Sequence, residues 1–164
     1  MLTALSIDNY ALIEHLDVSF DAGMTTITGE TGAGKSILLG ALSLVLGKRA
    51  DRSALKNNEK KCIIEAEFNI TSYGLQSFFD KQQLDYASTT IIRREINPSG
   101  KSRAFVNDTP VNLDVLERLA NDLIDIHSQH QTLTLTKTEF QFQVLDALAG
   151  NLPLVEEYQK ILAR

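Results

Sequence analysis

The segment from Gly29 to Ser36 constrains this chain more than any other. It reads Gly-Glu-Thr-Gly-Ala-Gly-Lys-Ser and satisfies the spacing G-x-x-x-x-G-K-[ST]. A run rich in β-branched residues, Met24 to Thr28, precedes it, and an apolar run from Ile37 to Leu46 follows, so strand, glycine loop and helix are expected in that order. Gly29, Gly32 and Gly34 let the backbone turn sharply and approach a ligand closely, so the N–H groups of Thr31 to Ser36 can converge on a phosphate. The helix opening near Lys35 adds about half a positive charge at the same place. Lys35 is placed to bridge β- and γ-phosphate oxygens, and Ser36 to ligate Mg²⁺ through its hydroxyl. A glycine-rich turn that merely joins strand to helix would not explain Lys35 and Ser36 directly after Gly34. The expected nucleotide contacts are Gly29, Glu30, Thr31, Gly32, Ala33, Gly34, Lys35, Ser36 and Ile37, with ATP and Mg²⁺ as the ligands.

A phosphate loop does not name a reaction, because GTPases, small-molecule kinases and mechanical ATPases share it. The chain has no Asn-Lys-x-Asp for guanine and no Asp-x-x-Gly switch, which argues against a Ras-like GTPase. A self-contained P-loop kinase for a small molecule stays open as the alternative. It would usually add an acidic substrate site and an arginine-bearing lid, and neither stands out. The formal net charge of −5 excludes a domain that holds nucleic acid by bulk charge, so any DNA contact must be local. One cysteine, Cys62, precludes an internal disulfide. The longest apolar stretch is too short for a bilayer, and no signal-like segment opens the chain, so a cytoplasmic protein is expected.

Periodicity outlines the rest. Leu5 and Ile7, then Leu16, Val18 and Phe20, alternate with polar residues and read as an opening hairpin, followed by a turn at Asp21-Ala22-Gly23. The helix from Lys35 is apolar on most sides and is expected to be largely buried, with Gly47 as its C-terminal cap. Lys48 to Lys61 reads as a polar surface excursion. Cys62 to Ile70 alternates, and Thr89–Ile96 and Arg103–Val106 form a strand pair around Asn97-Pro98-Ser99-Gly100. Leu75–Leu84 reads as helix, Leu113–Ala120 as one helical face, and Leu123–Ile126 as an apolar strand leading into a polar loop. Two amphipathic helices follow, around Phe140–Leu148 and from Leu152 onwards.

Three blocks are similar to the SMC-like ABC ATPases of DNA repair: the first fifty residues, IIRREINPSGKSRAFVNDTPV from Ile91, and LIDIHSQHQ from Leu123. The resemblance runs from Met1 to about Thr132. It implies an α/β P-loop NTPase fold, the ABC-type N-terminal lobe, with a mixed sheet, an antiparallel β subdomain and flanking helices. Residues 1–150 would form the lobe, and residues 151–164 would start a helix leading towards a coiled coil. Gln129 matches the family glutamine that completes the Mg²⁺ shell and senses the γ-phosphate, with Gln131 a lesser candidate. His127 and His130 lack cysteine or acidic partners at ligand spacing and read as loop residues.

The same resemblance implies ATP-driven engagement of two heads as a homodimer, a C-terminal lobe of the same protein as partner, and DNA as substrate during double-strand break repair and recombination, in the nucleoid-associated cytoplasm. Arg93, Arg94, Lys101 and Arg103 gather in the hairpin and are candidate contacts to DNA phosphates or nucleotide, as are Lys48, Arg49 and Arg52 after the first helix, although strand alternation puts Arg93 and Arg94 on opposite faces. Hydrolysis in this family needs an apolar strand ending in Asp-Glu and a Ser-Gly-Gly signature. Neither occurs in this chain, so no catalytic residue is assigned, and the chain alone is expected to hold ATP and to hydrolyse it weakly or not at all.

Overall fold

Alternating side chains build a six-stranded sheet of order β2-β1-β3-β4-β5-β6. Its strands are β1 (Leu2–Tyr10), β2 (Ile13–Ser19), β3 (Cys62–Asn69), β4 (Thr89–Ile96), β5 (Ser102–Val106) and β6 (Thr109–Val111). The computed structural model describes residues 1–28, 34–124, 126 and 138–162. All five pairings are antiparallel. The α/β class, the antiparallel sheet and the flanking helices match the sequence, whereas a parallel pairing, which would make the sheet mixed, is not seen among the described residues.

One face of the sheet is the core. Ile7, Cys62, Ile64, Ala66, Phe68, Ile92, Ile96 and Val106 are fully enclosed there. Helix α1 (Gly34–Val45) lies on β1, β3 and β4, and α3 (Leu113–Leu123) on β5. Ala41, Leu44 and Val45 of α1 and Leu116, Leu119 and Leu123 of α3 fill the space between. The short α2 (Gln76–Lys81) contributes Phe79, whose ring meets Tyr86 edge-on at 5.4 Å. Gly47 ends α1 with φ +101°, in the left-handed region a C-terminal cap needs.

Several expectations are corrected. Met24–Thr28 forms no strand, and all five residues are exposed, Met24 at 93% and Ile27 at 47%. β-Branched composition favours an extended backbone, but a strand exists only through a hydrogen-bonded neighbour, and the described sheet offers none here. Of the strand expected over Leu123–Ile126, Leu123 is helical and Ile124 and Ile126 lie in no strand. Leu116, Leu119, Ala120 and Leu123 make one buried i, i+3, i+4, i+7 stripe, so the helix continues through Leu123 and Ile124 caps it in extended conformation. Helix α1 is buried on one side only, with Leu39 38% exposed.

The polar excursion after α1 is fastened down. Asn9, itself buried with φ 54°, donates through Nδ2 to the carbonyls of Asn57 and Lys60, both at 2.9 Å, and accepts from the Asn57 N–H at 2.7 Å. The Ala11 N–H donates to the Ala54 carbonyl at 2.7 Å, and Leu55 is buried beside Tyr10.

The chain divides into two compact units, Met1–Ile124 and Asp125–Arg164. The second contains α4 (Thr138–Leu148) and α5 (Leu152–Leu162), separated by a turn at Gly150 with φ 70°. Residue 150, expected as a boundary, lies at that turn. Phe142, Leu145 and Leu148 of α4 and Leu154, Tyr158, Ile161 and Leu162 of α5 are exposed.

Candidate functional site

Helix α1 begins at Gly34, so Lys35, Ser36 and Ile37 occupy its first turn, where the N–H groups have no partner within the helix and the positive end of the dipole lies. Lys35 and Ser36 are exposed. The helix is held at its other end by Ala41, Leu44 and Val45 against the sheet, so the first turn is presented by a rigid element. Ser36 offers a hard hydroxyl oxygen at an exposed helix N-terminus, a donor that fits Mg²⁺ sharing its shell with phosphate oxygens and water. Gly29, Glu30, Thr31, Gly32 and Ala33 lie outside the described residues, as do Asp125, His127, Gln129, His130 and Gln131.

The hairpin of β4 and β5 sorts its four cations differently from the sequence expectation. Arg93 and Arg94 do face opposite sides of the strand. Arg93 runs over the Phe105 ring, 4.6 Å from its centroid, and lies 3.5 Å from Glu65, 3.7 Å from Glu95 and 3.9 Å from Asp108. Three carboxylates therefore already meet its charge. Arg94 is 1% exposed, enclosed on the core face between Ile64 of β3 and Ala104 of β5. Burial pulls its guanidinium below the ordinary arginine value. As a contact running along a DNA backbone Arg94 is thus corrected, because a cation under the surface cannot follow a phosphate backbone, whereas Arg93 is partly exposed and shares its charge with the three acids. Lys101 and Arg103 are exposed, on the turn and on the strand after it.

On the outer face of the opening hairpin, His15 lies between two acids, its Nδ1 2.7 Å from Asp8 and its Nε2 2.9 Å from Asp17. These contacts raise the imidazole above its ordinary value, the Asp8 hydrogen bond most. No group of His, Cys, Asp and Glu able to hold a metal occurs among the described residues. No helix among them is long and apolar enough to cross a membrane.

With this geometry in place, comparison with known proteins defines the class. A family model described as an AAA domain matches residues 4–161, and the chain belongs to that family. Its sequence is similar to DNA repair protein RecN: it is 42% identical to the Vibrio cholerae protein over 157 residues, 95% of this chain and 28% of that protein. The Bacillus subtilis RecN is 41% identical over 152 residues, 92% of this chain and 26% of that protein. The chain therefore spans less than a third of these relatives. Among solved structures, an SMC ATPase described for ATP-driven dimerization and DNA-stimulated activation aligns with TM-score 0.64 at 18% identity, covering 88% of this chain and 95% of that one. The RecF–ATP structure aligns with TM-score 0.51 at 18% identity, over 68% of this chain and 27% of that one. These two likenesses show the fold, and the resemblance to SMC-like ATPases read from the three sequence blocks holds.

Proposed function

We propose that this chain is the ATP-binding part of an SMC-like ABC ATPase acting in DNA double-strand break repair and recombination, where ATP-driven head engagement is coupled to DNA handling. The observation that carries the reading is the G-x-x-x-x-G-K-[ST] segment delivering Lys35 and Ser36 to the exposed, positive end of a helix anchored on a sheet. The RecN likeness supplies the repair context.

In this reading the backbone from Gly29 to Ile37 cradles the phosphates, Lys35 bridges the β- and γ-oxygens, and Ser36 and Gln129 hold Mg²⁺. When bound, Mg²⁺ neutralises charge on the phosphate oxygens. Residues 1–150 form the N-terminal lobe and residues 151–164 begin the helix towards a coiled coil. A C-terminal lobe of the same protein, which carries the acids and the signature this sequence lacks, covers the exposed Met24–Thr28 segment and Leu39, and two such heads form a homodimer around ATP. Lys101 and Arg103 contribute DNA contacts. The setting is the cytoplasm.

The test is calorimetry of ATP with Mg²⁺ on the chain and on Lys35→Ala, followed by phosphate release in the same samples. Binding that disappears in the variant, with negligible release from either, supports the reading. Release comparable to that of a full-length protein overturns it and restores the self-contained kinase, which a substrate-dependent ADP assay would then identify.

A further inference from the structure

Strand alternation assigns position 94 to the core, and every other core-facing position of β4 from Ile92 to Ile96 is aliphatic. An arginine there has to find acceptors, because an enclosed guanidinium without them is costly. Two of its donors find none among the described residues: its Nε and Nη2 are buried and have no hydrogen-bond partner there. The side chain instead lines a cavity of 570 Å³ whose other walls include Arg49, Ser102, Asn112 and Leu113. No carboxylate among the described residues lines this cavity.

The walls come from five parts of the chain, of which β6 supplies the apolar Pro110 and Val111. Arg94 comes from β4, Ser102 from β5, Arg49 from the segment after α1, and Asn112 and Leu113 from the start of α3. Asn112 caps α3 by accepting from the Val115 N–H at 2.9 Å, and with Leu113 it brings the positive end of this 11-residue helix to the cavity wall. Arg103 borders it from β5, where register with Glu95 turns its side chain to the opposite face. Two guanidinium groups, a hydroxyl and a helix N-terminus therefore surround one space, and one of the guanidinium groups is left short of acceptors.

We infer that this cavity is an anion site for a phosphate monoester, separate from the phosphate loop. A planar carboxylate is saturated by one guanidinium in fork geometry. Donors arriving from four directions suit a tetrahedral dianion with three terminal oxygens. The volume falls in the range of small-molecule pockets and leaves room beyond the phosphate for the group that carries it. The site stands apart from the nucleotide phosphates because Arg49 follows the C-terminal end of α1 while Lys35 and Ser36 stand at its N-terminal end. Twelve helical residues separate the two by roughly 18 Å. The same chemistry can reach the cavity on a small sugar phosphate or on the terminal phosphate of a polynucleotide.

The experiment follows the arginine Nε–Hε resonances of the whole chain by NMR, in the Lys35→Ala background so that the loop lysine contributes nothing, during titration with inorganic phosphate and with ribose 5-phosphate. A saturable shift of the Arg94 resonance is expected, together with a ligand-dependent rise in Tm. Arg49→Ala, an exposed substitution, and Arg94→Met should each weaken that rise about tenfold or more. A short oligonucleotide with and without a 5′-phosphate separates the sources. A shift only with the phosphorylated oligonucleotide assigns the group to a polynucleotide end, and a shift only with the small phosphates assigns it to a small ester; either supports the site. No shift with any probe, or equal affinity in the parent and both variants, overturns it. Loss of ATP binding in Lys35→Ala leaves these readouts intact, so the two readings fail separately.

Discussion

The phenolic oxygen of Tyr10 stands against Gly40, where a Cβ would lie 2.7 Å from it. Tyr10 ends β1 and Gly40 is in the middle of α1, so the contact sets how closely the helix bearing Lys35 approaches the sheet. Two effects compete in Gly40→Ala: helix propensity favours alanine by about 1 kcal/mol, and overpacking costs about 1–3 kcal/mol. The obstacle is a side-chain tip that can give way, so the net expectation is a loss of about 1 kcal/mol in urea unfolding. In a Tyr10→Phe background the same substitution should become stabilising by about 0.5–1 kcal/mol. A Gly40→Ala effect of equal size in both backgrounds would show that the hydroxyl does not set the spacing.

Asn9 holds the segment after α1 through three side-chain hydrogen bonds while sitting at φ 54°. Asn9→Ala loses the bonds and places alanine in the left-handed region, for a combined cost of about 3 kcal/mol. Asn9→Gly keeps the backbone at ease and should cost about 2 kcal/mol. Hydrogen exchange at residues 51–61 should accelerate in both. Unchanged exchange there would refute the anchoring.

His15 is the pH-responsive group of the outer face. Its folded pKa is raised, so its contribution to stability is fully present below the ordinary value of 6.5 and is lost as pH rises through the folded value. An NMR titration of the imidazole should give a midpoint above 6.5, and Asp8→Asn and Asp17→Asn should each lower it, because both acids raise it. A midpoint at or below 6.5 in the parent would contradict the geometry.

Cys62 is fully enclosed in β3, and burial pushes its thiol up to about 12. Only about one molecule in ten thousand then carries a thiolate at pH 8, so labelling by a disulfide reagent should proceed at the rate of unfolding. Because the folded pKa exceeds the unfolded one, stability should begin to fall above the ordinary value of 9 and continue falling towards 12. Rapid labelling of the native chain would reveal local opening of β3.

Much of the sheet was legible because its evidence is local. Cys62, Ile64, Ala66 and Phe68 alternate with polar residues, and Asn97-Pro98-Ser99-Gly100 supplies the turn between β4 and β5, so strand identity and the inward face needed no knowledge of neighbours. The three-residue β6 carries too short a pattern to be seen. Gly34, Lys35 and Ser36 were readable for the same reason, since phosphate binding by a glycine loop and a helix start is a property of consecutive residues.

Pairing and enclosure were decided by the tertiary structure. Met24–Thr28 has strand composition without a paired neighbour, and Leu123 belongs to a helix because its stripe with Leu116, Leu119 and Ala120 faces a core that no single segment defines. Arg93 and Arg94 are adjacent and chemically identical, yet one meets three carboxylates over Phe105 and the other is buried against a cavity. The sequence by itself determined that they lie on opposite faces of a strand; only the packing of β5, α1 and α3 around that strand decided which face is closed to water, because burial depends on what the rest of the chain brings to each side.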